Sequence, residues 1–148
     1  MSDLGQSLKI ALADNFMMYM MTHFFHFNVE GPDFVQYHNM FKTIYEDLWE
    51  SLDNIGEQIR ALDEYTPFSI SRFKELTKVE EETKIPTASS MIEKLLATND
   101  QVIDSLNKAM EQAKIANNEG LINFLGGRLE VHAKHGWFLR ATSKKNRA

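Results

Sequence analysis

Between residues 34 and 62 a series of apolar side chains recurs at Phe34, Tyr37, Phe41, Ile44, Leu48, Leu52, Ile55, Ile59 and Leu62, each step three or four residues long. That period marks one face of an α-helix of about eight turns; a strand would alternate in steps of two. A helix this long with a single apolar face has to bury that face against other helices. The prolines agree with this reading. Pro32, Pro67 and Pro86 all lie between periodic stretches and none falls inside one, as expected of a residue that removes a helix hydrogen bond.

The rest of the chain divides in the same way. From Leu4 to about Asn28, Leu4, Leu8, Leu12, Phe16, Tyr19, Phe24 and Phe27 recur at helical intervals. Gly31-Pro32 then turns the chain, and Pro32 or Asp33 opens the second helix. Residues 64–86 form a crossover in which Ser69 to Leu76 is expected to make a short helix, with Ile70, Phe73 and Leu76 on one face. Thr87 or Ser89 caps a third long helix through Met91, Leu95, Val102, Leu106 and Met110. Asn117-Asn118-Glu119-Gly120 breaks it, and a fourth helix runs from about Leu121 to Thr142. Neither strand-like alternation of useful length nor an internal repeat occurs. The fold class is therefore all-α. Two long helix pairs joined by a long connection fit a ferritin-like four-helix bundle with a short helix in the crossover, as one domain over residues 1–148. A helical bundle with no functional site is the alternative.

Composition narrows the chemistry. The 148 residues include no cysteine, which excludes disulfides, thiolate metal sites and cysteine nucleophiles and suits a cytoplasmic protein. The opening Met-Ser-Asp-Leu-Gly-Gln has no signal-peptide pattern, and no segment approaches the ~20 apolar residues of a membrane span. A formal net charge of −5 argues against a body built to clamp nucleic acid and favours attraction of cations.

Two histidines and two carboxylates are the candidate metal ligands. His26 ends the first helix and His38 lies near the start of the second, so the turn at Gly31-Pro32 brings them together. Asp53 and Glu57, four residues apart, share one face of the second helix. His38 and Asp53 are separated by roughly 22 Å along the helix axis, whereas ligands to one iron or zinc lie within about 2.0–2.3 Å of it. Within one straight chain the two pairs cannot share a metal. Two copies packed antiparallel about a two-fold axis would bring the histidines of one onto the carboxylates of the other and create two equivalent sites. That holds if the four residues serve one site; otherwise they are core histidines and surface carboxylates.

The run from His26 through Phe27-Asn28-Val29 and Gly31 to Phe34 and His38, followed by Asp53 and Glu57, resembles the Dps family (DNA protection during starvation), the small ferritins. The resemblance continues through Ile55-Gly-Glu-Gln-Ile-Arg-Ala-Leu62 and His135-Gly-Trp-Phe-Leu139. It implies a hollow homododecamer of tetrahedral symmetry with ferroxidase sites across its two-fold interfaces. Such a shell oxidises Fe(II), preferentially with hydrogen peroxide rather than dioxygen, stores ferric iron and guards against oxidative damage. On matching positions, His26 resembles the principal histidine ligand. Asp53 and Glu57 resemble the carboxylates given by the partner chain, with Glu57 bridging, and His38 resembles the histidine flanking the second metal position. Imidazole and carboxylate suit both Fe(II) and Fe(III), and two neighbouring irons supply the two electrons that a peroxide takes up without releasing hydroxyl radical.

One position departs from the family. Four residues after the second histidine the family carries Asp or Glu, and here Lys42 stands. An ammonium has no lone pair and repels a second Fe(II), so one firm iron position is expected, with the second weak or absent. The extra ~6 Å to Glu46 makes it a poor substitute. Two consequences stay open: an active ferroxidase, or an assembled shell with a slow, degenerate site. The family's tryptophan after the first histidine is replaced by Phe27, which keeps an aromatic wall.

The other candidates read more plainly. His23 is an added ligand, a proton relay or a polar residue near a helix end. His132 falls on an apolar stripe and reads as a hydrogen-bonded core residue; with His135 it forms a His-x-x-His pair lacking an evident carboxylate. Met17, Met18, Met20 and Met21 read as adaptable core packing rather than a copper site, and Glu80-Glu81-Glu82 as a solvated charge run. Trp49 either borders the site or fills the interface. DNA is the remaining partner the resemblance suggests. Basic residues at 143–148 could act as a flexible tail whose many copies bind through avidity, against the negative charge of the body.

Overall fold

The computed structural model describes residues 2–144, which form five helices and no strand. Helix α1 spans Asp3–Asn28, α2 Phe34–Ala61, α3 Ile70–Leu76, α4 Ala88–Ile115 and α5 Glu119–Ser143. Of the basic tail expected at 143–148, Ser143 closes α5 and Lys144 caps it; residues 145–148 lie outside the described part, as does Met1.

Local chemistry sets the helix ends. The Ser2 side chain accepts the N–H of Gly5, Thr87 that of Ser90 and Asn118 that of Leu121, each satisfying a donor that the first turn leaves free. Gly31, at φ +125°, makes the reversal between α1 and α2 in a conformation L side chains rarely adopt. Asn117, at φ +53°, turns the chain between α4 and α5. Gly120 lies inside the first turn of α5 and not in the break, because Asn118 already caps that helix.

The four long helices pack as two hairpins, α1 with α2 and α4 with α5, and α1 lies directly against α4. The regular stripe of α2 forms one wall of the core through Phe41, Ile44, Leu48, Leu52, Ile55 and Ile59, while Phe34, Tyr37 and Leu62 at its ends are less covered. Along α1 the buried face differs from the sequence expectation. After Leu4, Leu8 and Leu12 it passes through Met18, Met21 and Phe25, leaving Phe27 exposed and Phe24 half-buried. Because α1 is touched by α2, α3 and α4, apolar residues on several of its sides find partners, and spacing alone does not single out one face. Met20 is exposed, so only part of the methionine group packs inside.

The crossover is pinned by polar residues of α1. Asp14 accepts from Thr77 Oγ1 at 2.6 Å, from the Lys78 N–H at 3.2 Å and from Ser105 Oγ on α4 at 2.8 Å. Glu64 accepts from Ser2 Oγ at 2.7 Å and pairs with Lys9 at 3.2 Å. Helix α3 then buries Phe73 against Phe16, with ring centroids 4.7 Å apart. Leu76 is half-buried and Ile70 is 70% exposed, so the expected three-residue face of α3 reduces to Phe73 and Leu76. A helix of two turns packed chiefly on α1 covers little more than one large side chain. Among the described residues no helix is long and apolar enough to cross a membrane.

Candidate metal centre

The α1–α2 reversal sets His26 and His38 face to face, with ring centroids 3.7 Å apart and planes inclined by 18°. Each ring also bonds to the backbone of the other residue. His26 Nδ1 lies 2.8 Å from the His38 carbonyl oxygen, and His38 Nδ1 lies 2.7 Å from the His26 carbonyl oxygen. A carbonyl oxygen only accepts, so both Nδ1 atoms carry the proton. In the neutral imidazoles the free lone pair is therefore on Nε2 in each ring. This is the arrangement in which a backbone carbonyl fixes the tautomer and orientation of a metal-binding histidine. The His26 carbonyl is free for this role because it belongs to the last turn of α1, whose carbonyls have no partner within the helix.

Asp53 and Glu57 are exposed on α2 and line an open cleft of about 830 Å³ with Trp49, Glu50, Arg60 and Phe68. The crossover forms part of this cleft and is anchored there by Thr66 Oγ1, which donates to the Gly56 carbonyl at 2.6 Å. The histidine pair and the carboxylate pair remain apart, as their places on one straight helix require. Among the described residues no cluster of three or more His, Asp or Glu side chains could hold a metal ion. Lys42, one turn after His38, is exposed, and its Nζ lies 3.8 Å from Glu46 Oε1.

Aromatic rings extend from the histidine pair along the α1–α2 seam. Tyr45 stands 5.1 Å from His26 and is stacked on His23 at 3.9 Å with planes 7° apart. His23 has Phe27 stacked on it at 4.7 Å and a hydrogen bond between its Nδ1 and the Tyr19 hydroxyl at 2.9 Å. Partial burial and the neighbouring His26 hold the His23 pKa below its ordinary value. With Nδ1 taken by Tyr19, His23 does not repeat the carbonyl-fixed arrangement of His26 and His38. Trp49 packs 5.2 Å from Tyr19 and remains 57% exposed, so it does border the cleft beside Asp53.

The second histidine pair belongs to a buried polar network. His132 is fully buried: its Nδ1 lies 2.8 Å from Asn99 Oδ1, and its Nε2 lies 3.2 Å from an Arg128 N–H group. Burial, with the charges of Arg128 and His135 beside it, pushes its pKa down to about 3. Contrary to the sequence reading, a carboxylate does stand beside the pair. Asp47 on α2 lies 2.8 Å from His135 Nε2 and forms two hydrogen bonds with Arg128, at 2.8 and 3.0 Å. Burial acts to raise the Asp47 pKa, but the hydrogen bonds and charges of His135 and Arg128 hold it well below the carboxylate range. Asp47 thus ties α2 to α5 as a structural clasp. Nothing in its sequence neighbourhood, Glu46-Asp47-Leu48, distinguishes it from a solvated charge. Glu82 likewise leaves the presumed charge run to pair with Lys94 at 2.7 Å.

Comparison with known proteins agrees with this architecture. Residues 6–148 match the ferritin-like domain family. The chain is 31% identical over 137 residues to the DNA protection during starvation protein of Helicobacter pylori, spanning 90% of this chain and 94% of that one. It is 30% identical over 132 residues to an uncharacterized low temperature-induced protein of Nostoc, spanning 88% and 74% respectively. It is also similar in structure to the Dps protein of Vibrio cholerae, a member of a broad superfamily of ferritin-like diiron-carboxylate proteins. There the TM-score is 0.91 at 26% identity, covering 95% of this chain and 89% of the other.

Proposed function

This chain belongs to the ferritin-like family in its Dps branch, and from that membership we propose that it binds and oxidises Fe(II) at sites shared between two copies of itself. The observation that carries the reading is the pair of reciprocal imidazole–carbonyl bonds between His26 and His38. They spend both Nδ1 atoms internally and hold both Nε2 lone pairs ready for a cation. The missing anionic ligands, Asp53 and Glu57, are exposed on the same helix roughly 22 Å away. Antiparallel pairing of α2 with its copy, crossing near Asp47, sets His26 and His38 opposite the partner's Asp53 and the partner's Glu57.

In that arrangement His26 Nε2 and the partner's two carboxylates hold the iron substrate, and Glu57 has the reach to bridge toward His38. The neutral imidazoles accept Fe(II), and the carboxylates stabilise the added charge as it becomes Fe(III). Lys42 falls opposite the partner's Asp53, where its ammonium takes the place of a second cation. The site therefore holds one firmly bound iron. Hydrogen peroxide, or more slowly dioxygen, is the oxidant, and the ferric product is stored within a closed dodecameric shell in the cytoplasm.

Lys42 also supports a second reading, in which the shell assembles but oxidises iron slowly. Stopped-flow measurement of Fe(III) formation with peroxide separates the two. Oxidation well above the protein-free rate, lost in both His26→Ala and Asp53→Ala, supports the ferroxidase. A wild-type rate equal to buffer supports the degenerate shell, and a native mass far below a dodecamer opposes both.

A further inference from the structure

We infer that Lys42 fixes how two copies of this chain pair: its ammonium bonds to the partner's Asp53, twice per dimer, and holds α2 against its copy in one register before any iron is bound. The inference rests on the shared-site reading above and gives the lysine a task in assembly rather than in oxidation.

The exposed side of α2 has the spacing of a helix-pairing seam. Lys42, Glu46, Trp49 and Asp53 follow one another at steps of four, three and four, with Val35 and Arg60 one heptad beyond at either end. All six are exposed, and even the apolar Val35 and Trp49 are bare to 61% and 57%. Alternation of threes and fours keeps one stripe of a helix facing a second helix. This stripe is distinct from the face that α2 buries through Ile44, Leu48 and Ile55.

Charge decides the register. A copy laid antiparallel and centred between Asp47 and Leu48 sets Lys42 against the partner's Asp53, Glu46 against the partner's Trp49 and Val35 against the partner's Arg60. The two-fold axis repeats each contact, so two lysine–aspartate pairs flank an aromatic centre. Position for position along this seam, no like charges meet. The same centre brings His38 level with the partner's Glu57, so the seam and the metal ligands select one arrangement. Sliding the copy by a heptad sets Lys42 against the partner's Arg60 in one direction and Val35 against the partner's Asp53 in the other. A polar residue in such a seam sets register in this way, at some cost in stability.

Within one chain Lys42 has little to give up. Its Nζ lies 3.8 Å from Glu46 Oε1, and the two side chains are 54% and 60% exposed, so water already screens that pair. Between two helices water is displaced and the same charge counts for more. A carboxylate has two oxygens, so the partner's Asp53 accepts the ammonium at one and keeps the other for iron. A carboxylate at position 42 would instead oppose the partner's Asp53 and need a cation between them.

The test takes the metal-free full-length chain in chelator and follows its mass by analytical ultracentrifugation over a dilution series. Wild type should remain paired. Lys42→Asp and Asp53→Lys should each raise the concentration at which the pair half-dissociates by tenfold or more, although they change the net charge in opposite directions. The exchange Lys42→Asp/Asp53→Lys should recover most of the loss. Both positions are exposed, so helical circular dichroism should be unchanged throughout. Single variants as firmly paired as wild type, or an exchange no better than the single variants, overturn the inference and leave the shared iron site standing. So does a wild type that separates into single chains in chelator and pairs again when Co(II) is added. A wild type that stays single in both conditions overturns both readings.

Discussion

Mixing two inactive variants gives the sharpest test of a site divided between chains. His26→Ala removes the principal imidazole and leaves the carboxylates. Asp53→Ala/Glu57→Ala removes the carboxylates and leaves the imidazoles. Each homodimer of either variant has two broken sites, because every site needs both halves. In a mixed dimer one site joins the two damaged halves, and the other joins the intact His26 and His38 of one chain to the intact Asp53 and Glu57 of its partner. With equal expression and random pairing, half the dimers are mixed and each has one good site, so activity should recover to about one quarter of wild type. The measurement is peroxide-dependent Fe(II) oxidation by co-expressed, differently tagged variants purified through both tags in sequence and corrected for composition. The roughly 22 Å between the pairs on α2 makes the outcome decisive. A site within one chain recovers nothing on mixing, since no chain in the mixture carries both halves. Background activity in the co-assembled sample would refute the shared site even if wild type oxidises iron well.

Other outcomes follow from neighbouring features. Lys42→Asp should raise the bound Fe(II), or its Co(II) surrogate, from one ion per site toward two and speed oxidation; unchanged metal stoichiometry would remove Lys42 from the site. Acid should weaken the fold through His132, whose folded pKa of about 3 lies below the ordinary 6.5. The unfolded chain takes up a proton that the folded core refuses, so this stability is complete above pH 6.5 and declines as pH falls toward 3. Asp47, also depressed, acts in the same direction at lower pH. By pH 4.5 the His132 contribution alone should cost roughly 2–3 kcal/mol, seen as a lower urea midpoint that is largely levelled in His132→Gln. Retention of DNA in gels, if present at low salt, should vanish when residues 143–148 are removed and should fade as salt is raised; retention that survives the deletion would place the contact on the helical body.

How far the fold could be read depended on how many neighbours each helix has. Helix α2 meets the core on one side, so its three-and-four spacing corresponds to the buried face from Phe41 to Ile59. Helix α1 is surrounded by α2, α3 and α4, and its apolar residues point several ways; Phe24 and Phe27 fit the period but leave the buried face to Phe25 and Met18. Proline and capping residues located the breaks well, since their effects are local. Ile70 fits the α3 face by spacing yet lies in solvent, because a short helix shows its pattern without showing how little there is to cover it. The proximity of His26 and His38 was legible for the same reason as the breaks: a Gly-Pro reversal between two helices leaves little freedom. Their reciprocal bonds to each other's carbonyls were not, since these depend on ring rotation and on which backbone groups the helix end leaves free. Asp47 was least legible of all, because its partners Arg128 and His135 lie more than 80 positions away.

The division of ligands also gives Lys42 an electrostatic meaning. In the proposed interface the partner's Asp53 and Glu57 bring two negative charges to neutral imidazoles. With a third carboxylate at position 42, two Fe(II) ions would leave one positive charge in excess. With Lys42, the two carboxylates, one ammonium and one Fe(II) leave the same excess. The lysine therefore replaces a carboxylate and its iron together without changing the net charge the interface must hold, so assembly can proceed with a single metal. It does change the electron supply, because an ammonium cannot be oxidised where the second Fe(II) would have been. A chain with this substitution has one electron from iron to offer the oxidant at each site, half of what two irons supply.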